Sequence, residues 1–154
     1  MHHISSLLAI IFLMTLSNCD SSKKTQQNNP NAEFTVLHKS EYGGKDGKCY
    51  DIIKNNNDRT QLLLSLNLDE ETAQQLKGVD LNTHTILALH MGQHNTGGYS
   101  IDISNVEENG DTTYVTVEEK GPEPGAMVTM ALTNPYCIAL VEKNETIVFK
   151  ANEK

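Results

Sequence analysis

Thr85-Ile86-Leu87-Ala88-Leu89-His90-Met91, followed across a short glycine-bearing link by Tyr99-Ser100-Ile101-Asp102-Ile103-Ser104, decides the fold. The first stretch is a continuous apolar run of strand length, the pattern of a central strand covered on both faces. The second alternates. Tyr99, Ile101 and Ile103 share one face and Asp102 and Ser104 the other, as in a strand with one face on a core. Asn109-Gly110 is a hairpin signal, and Thr113-Tyr114-Val115-Thr116-Val117-Glu118 returns from it. Beyond a rigid loop, Gly121-Pro122-Glu123-Pro124-Gly125, residues 136–141 and 146–149 predict two more strands, joined near 142–145.

Upstream, residues 34–38 and 50–54 read as short strands on either side of a glycine-rich turn at 42–47. Asn57 or Asp58 is the expected N-cap of a helix carrying Leu62, Leu63, Leu64 and Leu66. A second helical piece over 70–76 has acidic residues at its start and Gly78 as its expected C′ residue. The expected fold is α+β: a mainly antiparallel sheet with one helical region packed on one face.

The first residues carry a different signal. Leu7-Leu8-Ala9-Ile10-Ile11-Phe12-Leu13-Met14-Thr15-Leu16 is almost wholly apolar and too short to span a bilayer as a helix, which needs roughly 20 residues. At an N-terminus it fits the apolar region of a signal peptide. Leu16-Ser17-Asn18-Cys19 then resembles a bacterial lipobox, in which the cysteine thiol receives a diacylglycerol with fatty acyl chains such as palmitate. Asn18 is bulkier than the usual residue, and no Lys or Arg precedes the apolar run. Residues 20–31 are polar throughout and read as a flexible tether. The expected organisation is a lipoprotein signal peptide at 1–18, a tether at 19–32 and one domain at 33–154. The expected location is the bacterial cell envelope, lipid-anchored through Cys19 and facing the periplasm or the cell surface.

The 154 residues hold 12 Lys and Arg against 20 Asp and Glu, a formal net charge of -8. An acidic chain without a basic patch is not expected to bind nucleic acid. No catalytic constellation is legible. His90 and His94 are candidate bases and Ser100, Ser104 and Cys137 candidate nucleophiles, but no nucleophile-elbow pattern surrounds them. His90 and His94 fall on a strand and a loop, where a spacing of four marks no common face. Asp80 and His84 add no ligand pattern. Glu107, Glu108, Glu118 and Glu119 read as solvated turns and strand ends. Gly97-Gly98 lacks the phosphate-loop pattern. Neither an enzyme, a metal site nor a cofactor is therefore expected. Cys49 and Cys137 form an even pair in an oxidising compartment, which leaves two readings open: a disulfide, or two separate buried thiols.

Three stretches carry a resemblance: Gly92-Gln93-His94-Asn95-Thr96-Gly97-Gly98-Tyr99-Ser100-Ile101, Gly121-Pro122-Glu123-Pro124-Gly125-Ala126-Met127, and Ala131-Leu132-Thr133-Asn134-Pro135-Tyr136. Together they resemble the PrcB C-terminal domain family, named for a lipoprotein subunit of a spirochaete surface protease complex. The resemblance covers roughly 34–150 and is sharpest from Val79 onward. It implies a protein that associates with or stabilises a protease and is not itself one. Asn95-Thr96-Gly97-Gly98-Tyr99 is also similar to the Thr-Thr-Gly loop of chagasin-like cysteine-protease inhibitors, which makes a loop-based inhibitor the alternative. Glycines 97 and 98 permit close backbone approach, Tyr99 offers an aromatic anchor, and prolines stiffen the neighbouring loops. The expected partner-binding residues are Asn95, Thr96, Gly97, Gly98, Tyr99, Pro122, Pro124, Gly125, Pro135 and Tyr136. The same glycines and prolines also suit plain tight turns, and the sequence leaves that alternative open.

Overall fold

The computed structural model describes residues 31–152. The expected signal peptide, Cys19 and nearly all of the tether lie outside them. Seven strands and two helices follow in the order β1 (Phe34–Ser40), β2 (Cys49–Ile53), α1 (Asn56–Ser65), α2 (Glu70–Gly78), β3 (His84–His90), β4 (Ser100–Asn109), β5 (Thr112–Lys120), β6 (Tyr136–Glu142) and β7 (Thr146–Ala151). The fold is α+β, as expected. The strands divide into two sheets rather than one: a four-stranded sheet in the order β1-β6-β3-β2, and a three-stranded sheet in the order β4-β5-β7. All pairs are antiparallel except β5 with β7.

The apolar run at β3 is central for the reason its composition suggests: it buries both faces. Leu87 and Leu89 point toward the second sheet and pack with Cys137, Ala139 and Val141 of β6 and with Ile101, Ile103, Val106, Val115 and Val117. Ile86 and Ala88 point the other way, onto Leu62, Leu66 and Leu76 of the helical region and Ile138 of β6. The molecule therefore has three layers, helices, sheet and sheet, with two apolar seams.

Two bulges keep these faces in phase. Between Ile103 and Asn105 the β4–β5 register shifts. The extra residue, Ser104, is exposed, and Val106 returns to the core face beside Ile103. Without it, strict alternation would turn Val106 outward. In β1 the register shifts between Val36 and His38. Alternation puts Phe34 and Val36 on the sheet–sheet seam and Leu37 on the helical one, and the bulge brings His38 to the helical side as well, where it stacks on Tyr136.

The helix caps differ from the expectation by a few residues. Asn55, not Asn57 or Asp58, caps α1, its side chain accepting the Asp58 N–H at 3.0 Å. Asp69 caps α2 by accepting from Thr72. Gly78 is the last helical residue rather than a left-handed C′ residue. The open carbonyls at that end are met by Arg59 of α1, whose guanidinium donates to Lys77 and Val79 oxygens at 3.0 and 2.8 Å. The β4–β5 turn also sits one residue along: Gly110, at φ 59°, and Asp111 form the tip, and Asn109 pairs with Thr112.

Candidate functional site

Register fixes what lies at one end of the molecule. Ser40 pairs with Tyr136, Tyr136 with His90, and His90 with Cys49. Ser100 pairs with Lys120 in the other sheet. The connections 41–48, 91–99 and 121–135 consequently leave the sheets at the same pole, and their backbones are knitted together. His94 and Thr133 exchange two hydrogen bonds, 2.8 and 2.9 Å. Gly97 N–H donates to Thr129 O at 3.0 Å, and the Thr133 hydroxyl donates to Thr96 O at 2.8 Å. The first turn joins through Gly44 N–H to Asn134 O, Asn134 N–H to Glu41 O, and Gln93 N–H to Asp46 O.

The glycines are needed for these approaches. A Cβ on Gly97 would stand 2.4 Å from Thr129 Oγ1. Gly98 adopts φ 87° and faces Pro122 and Val128. Tyr99 lies against Gly121, and its ring stacks on His94 with centroids 3.8 Å apart.

The structure thus brings together most of the residues expected to bind a partner. Asn95, Gly98, Pro124 and Gly125 are exposed, and Thr96, Tyr99 and Pro122 are half-buried. Three are not on the surface. Gly97 and Pro135 are buried in the loop packing. Tyr136 is 2% exposed and belongs to the helical seam, its ring stacked between His38 and His90. These three shape the pole and do not present side chains to a partner.

Other side chains that the sequence reading passed over are exposed at this pole. Of the seven large apolar residues exposed among the described residues, Tyr42, Met127, Met130 and Leu132 are on these loops; Met127 is 101% and Met130 88% exposed. Scattered exposed apolar residues are ordinary. Four on one knitted loop cluster concentrate exposed apolar surface at this pole, and flexible, polarisable Met is suited to binding surfaces. A signal was available in Met127, Met130 and Leu132, which are spaced through a segment with no helical or strand periodicity.

Beneath the first turn lies a second group. Cys49 and Asp51 share a face of the edge strand β2, and His90 pairs directly with Cys49. One ligand-type atom from each lies within 4.8 Å of the others. His90 is fully buried, Nδ1 accepts the Lys45 N–H at 3.2 Å, and Nε2 stands 3.4 Å from Asp51 Oδ2. Burial pulls the His90 pKa down, against the opposing pull of Asp51. The Lys45 ammonium forms an ion pair with the same Asp51 oxygen. Sequence spacing could not show this group, since it depends on the β2–β3 register.

The possible Cys49–Cys137 disulfide is not formed; both are free thiols. The reason is geometric. Their strands are separated by β3, about 9–10 Å across two strand spacings, beyond the reach of a disulfide. They also face opposite ways: Cys49 aligns with His90 and Tyr136 on the helical side, whereas Cys137 lies in the sheet–sheet seam. Burial pushes the Cys137 thiol up to about 12, with the Asp102 carboxylate adding to the effect.

No curated protein and no solved structure matches the chain. Residues 85–142, from β3 to the end of β6, match the family model described as PrcB C-terminal, a stretch that includes two of the three loops at this pole and both central strands.

Proposed function

We propose that the protein is a non-enzymatic, lipid-anchored component of the bacterial cell envelope that binds a partner protein, a secreted or surface protease, through the loop pole. The observation that carries this reading is the patch of Tyr42, Met127, Met130 and Leu132 on loops held by mutual backbone hydrogen bonds. A surface ordered before binding loses little conformational entropy on binding. The match of residues 85–142 to the PrcB C-terminal model supports the partner class, through the resemblance to a family named for a protease-complex subunit.

The test replaces Met127, Met130 and Leu132 together with Ser. These side chains bury little, so the melting temperature should hold within about 2 °C. Crosslinking in native cells, followed by mass spectrometry, should capture a protease with the parent chain and lose it with the triple variant. Undiminished capture by the folded triple variant would refute the assignment of this face. Inhibition of the captured protease by purified protein would replace the accessory role with inhibition. For the anchor, Cys19→Ser should abolish fatty-acid labelling and leave an unprocessed precursor; normal processing would refute it.

A further inference from the structure

We infer that Cys49, Asp51 and His90 form a binding site for one divalent metal ion of the zinc type, held closed by Lys45. The donor set is one thiolate, one carboxylate and one imidazole, the mixed sulfur, oxygen and nitrogen set that zinc accepts. Ligand atoms on a tetrahedral zinc ion lie roughly 3.3–3.8 Å apart, as follows from metal–ligand distances of about 2.0–2.3 Å. The three groups here already lie within 4.8 Å of one another, so side-chain rotations together with a turn of the Lys45 peptide close the site. Paired strands hold the Cα positions, with Cys49 opposite His90 and Asp51 two residues along the same face.

An independent observation points to a ligand. His90 Nε2 is buried and stands 3.4 Å from the Asp51 carboxylate without an aligned hydrogen bond to it or to any other group. Buried polar atoms are almost always paired, and an unpaired one calls for a reason. A cation already stands on that carboxylate: the ammonium of Lys45. Its side chain is 43% exposed and can swing into solvent.

Loading exchanges one cation for another. The Cys49 thiol releases its proton to solvent as the metal–sulfur bond forms. The His90 ring proton moves from Nε2 to Nδ1, which leaves Nε2 free to ligate. Nδ1 then no longer accepts from the Lys45 N–H, so that peptide turns aside together with the expelled ammonium. Thiolate and carboxylate together balance the dication. A cavity of about 380 Å³ bordered by Lys45, Asp51, Asp58 and Gln61 adjoins the Asp51 side of the group, the side from which an ion would enter.

Titration of the full, reduced chain with Co2+, a spectroscopic stand-in for Zn2+, tests the site. The expected result is a near-ultraviolet thiolate-to-cobalt band that saturates at one ion per chain. Cys49→Ser should remove the band, and both Cys49→Ser and Asp51→Asn should weaken Zn2+ binding at least about tenfold. Both residues are on an edge strand and partly exposed, and circular dichroism checks that the variants fold. Lys45→Ala, which removes the competing ammonium, should tighten binding about fivefold. Absence of the band, or a band that survives Cys49→Ser and disappears with Cys19→Ser, overturns the site. Binding no tighter in Lys45→Ala overturns the closed form.

Discussion

Gly44→Ala tests whether the turn at 41–48 is an integral part of the loop pole. A Cβ at this position would stand 2.6 Å from the carbonyl oxygen of Asn134 and 3.2 Å from Cβ of Tyr136. The same oxygen accepts the Gly44 N–H at 2.9 Å. The clash is therefore with backbone, on both sides, and no side-chain rotation relieves it. Restoring an ordinary contact moves the oxygen away by several tenths of an ångström and breaks or stretches the hydrogen bond. A lost hydrogen bond costs about 0.5–1.5 kcal/mol and a forced shift in packed structure about 1–3 kcal/mol. Together they amount to roughly 2–4 kcal/mol. Gly47→Ala is the internal control, because nothing lies within 4 Å of its Cβ position and its φ is not in the left-handed region. There the reduced freedom of the unfolded chain dominates, and the change should be neutral or stabilising by up to about 1 kcal/mol. Thermal and urea denaturation would separate them: Gly44→Ala should melt roughly 5–15 °C lower, and Gly47→Ala no lower than the parent. Equal midpoints for the two variants would refute the docking of this turn on 133–136.

Ile103→Asp should destabilise the domain by about 4 kcal/mol, because Ile103 is 5% exposed in the sheet–sheet seam and a carboxylate there has no partner; an unchanged urea midpoint would show the strand facing to be wrong. Asp69 has its pKa held below 3.8 by hydrogen bonds from the Thr72 backbone and hydroxyl. A depressed folded-state value contributes stability above the unfolded value, lost as the pH falls through the folded one. Urea midpoints should accordingly fall below about pH 4, and less steeply in Asp69→Asn; identical slopes would remove this cap from the acid response. Iodoacetamide on the native protein should label Cys49 and spare Cys137 until denaturant is added, given a fully buried thiol raised to about 12; fast native labelling of Cys137 would show the seam to be open.

Strand identity was legible where side chains alternate or run continuously apolar, as at Ile101, Ile103 and 85–91, because burial of one or both faces imposes that pattern directly. The division into two sheets was not. Lys143, Asn144 and Glu145 carry the chain from β6 to β7, and nothing in three polar residues says whether the next strand turns back on its predecessor or crosses. The crossing depends on tertiary contacts: the Lys54 ammonium holds the carbonyls of Asn144 and Glu145, and the Asn144 side chain donates to Gly110 O. The cap of α1 lies two or three residues before the expected one because Asn55, Asn56, Asn57 and Asp58 are all competent caps, and only the path out of β2 selects among them. Tyr136 was misread for a related reason. The strand is expected to begin at Tyr136 and does, but only its ladder with Ser40 and His90 shows that the ring faces the helical seam and not the loop surface.

The topology also separates the two ends that the proposed function needs apart. β1 begins at Phe34, opposite Val141, and His84 pairs with Glu142, so these residues mark the pole away from the loops. Ser40, at the far end of β1, is about 20 Å along the strand by its rise per residue. The N-terminal side of the chain therefore joins the domain at the pole opposite Tyr42, Met127, Met130 and Leu132. The register ties this polarity to the core: the pairs that bury Leu87 and Leu89 against β6 also set which connections emerge at which end. An apolar patch at the tethered pole would compete for the bilayer surface. Under the proposed anchoring, a patch at the opposite pole would be free of that competition and open to a protein partner.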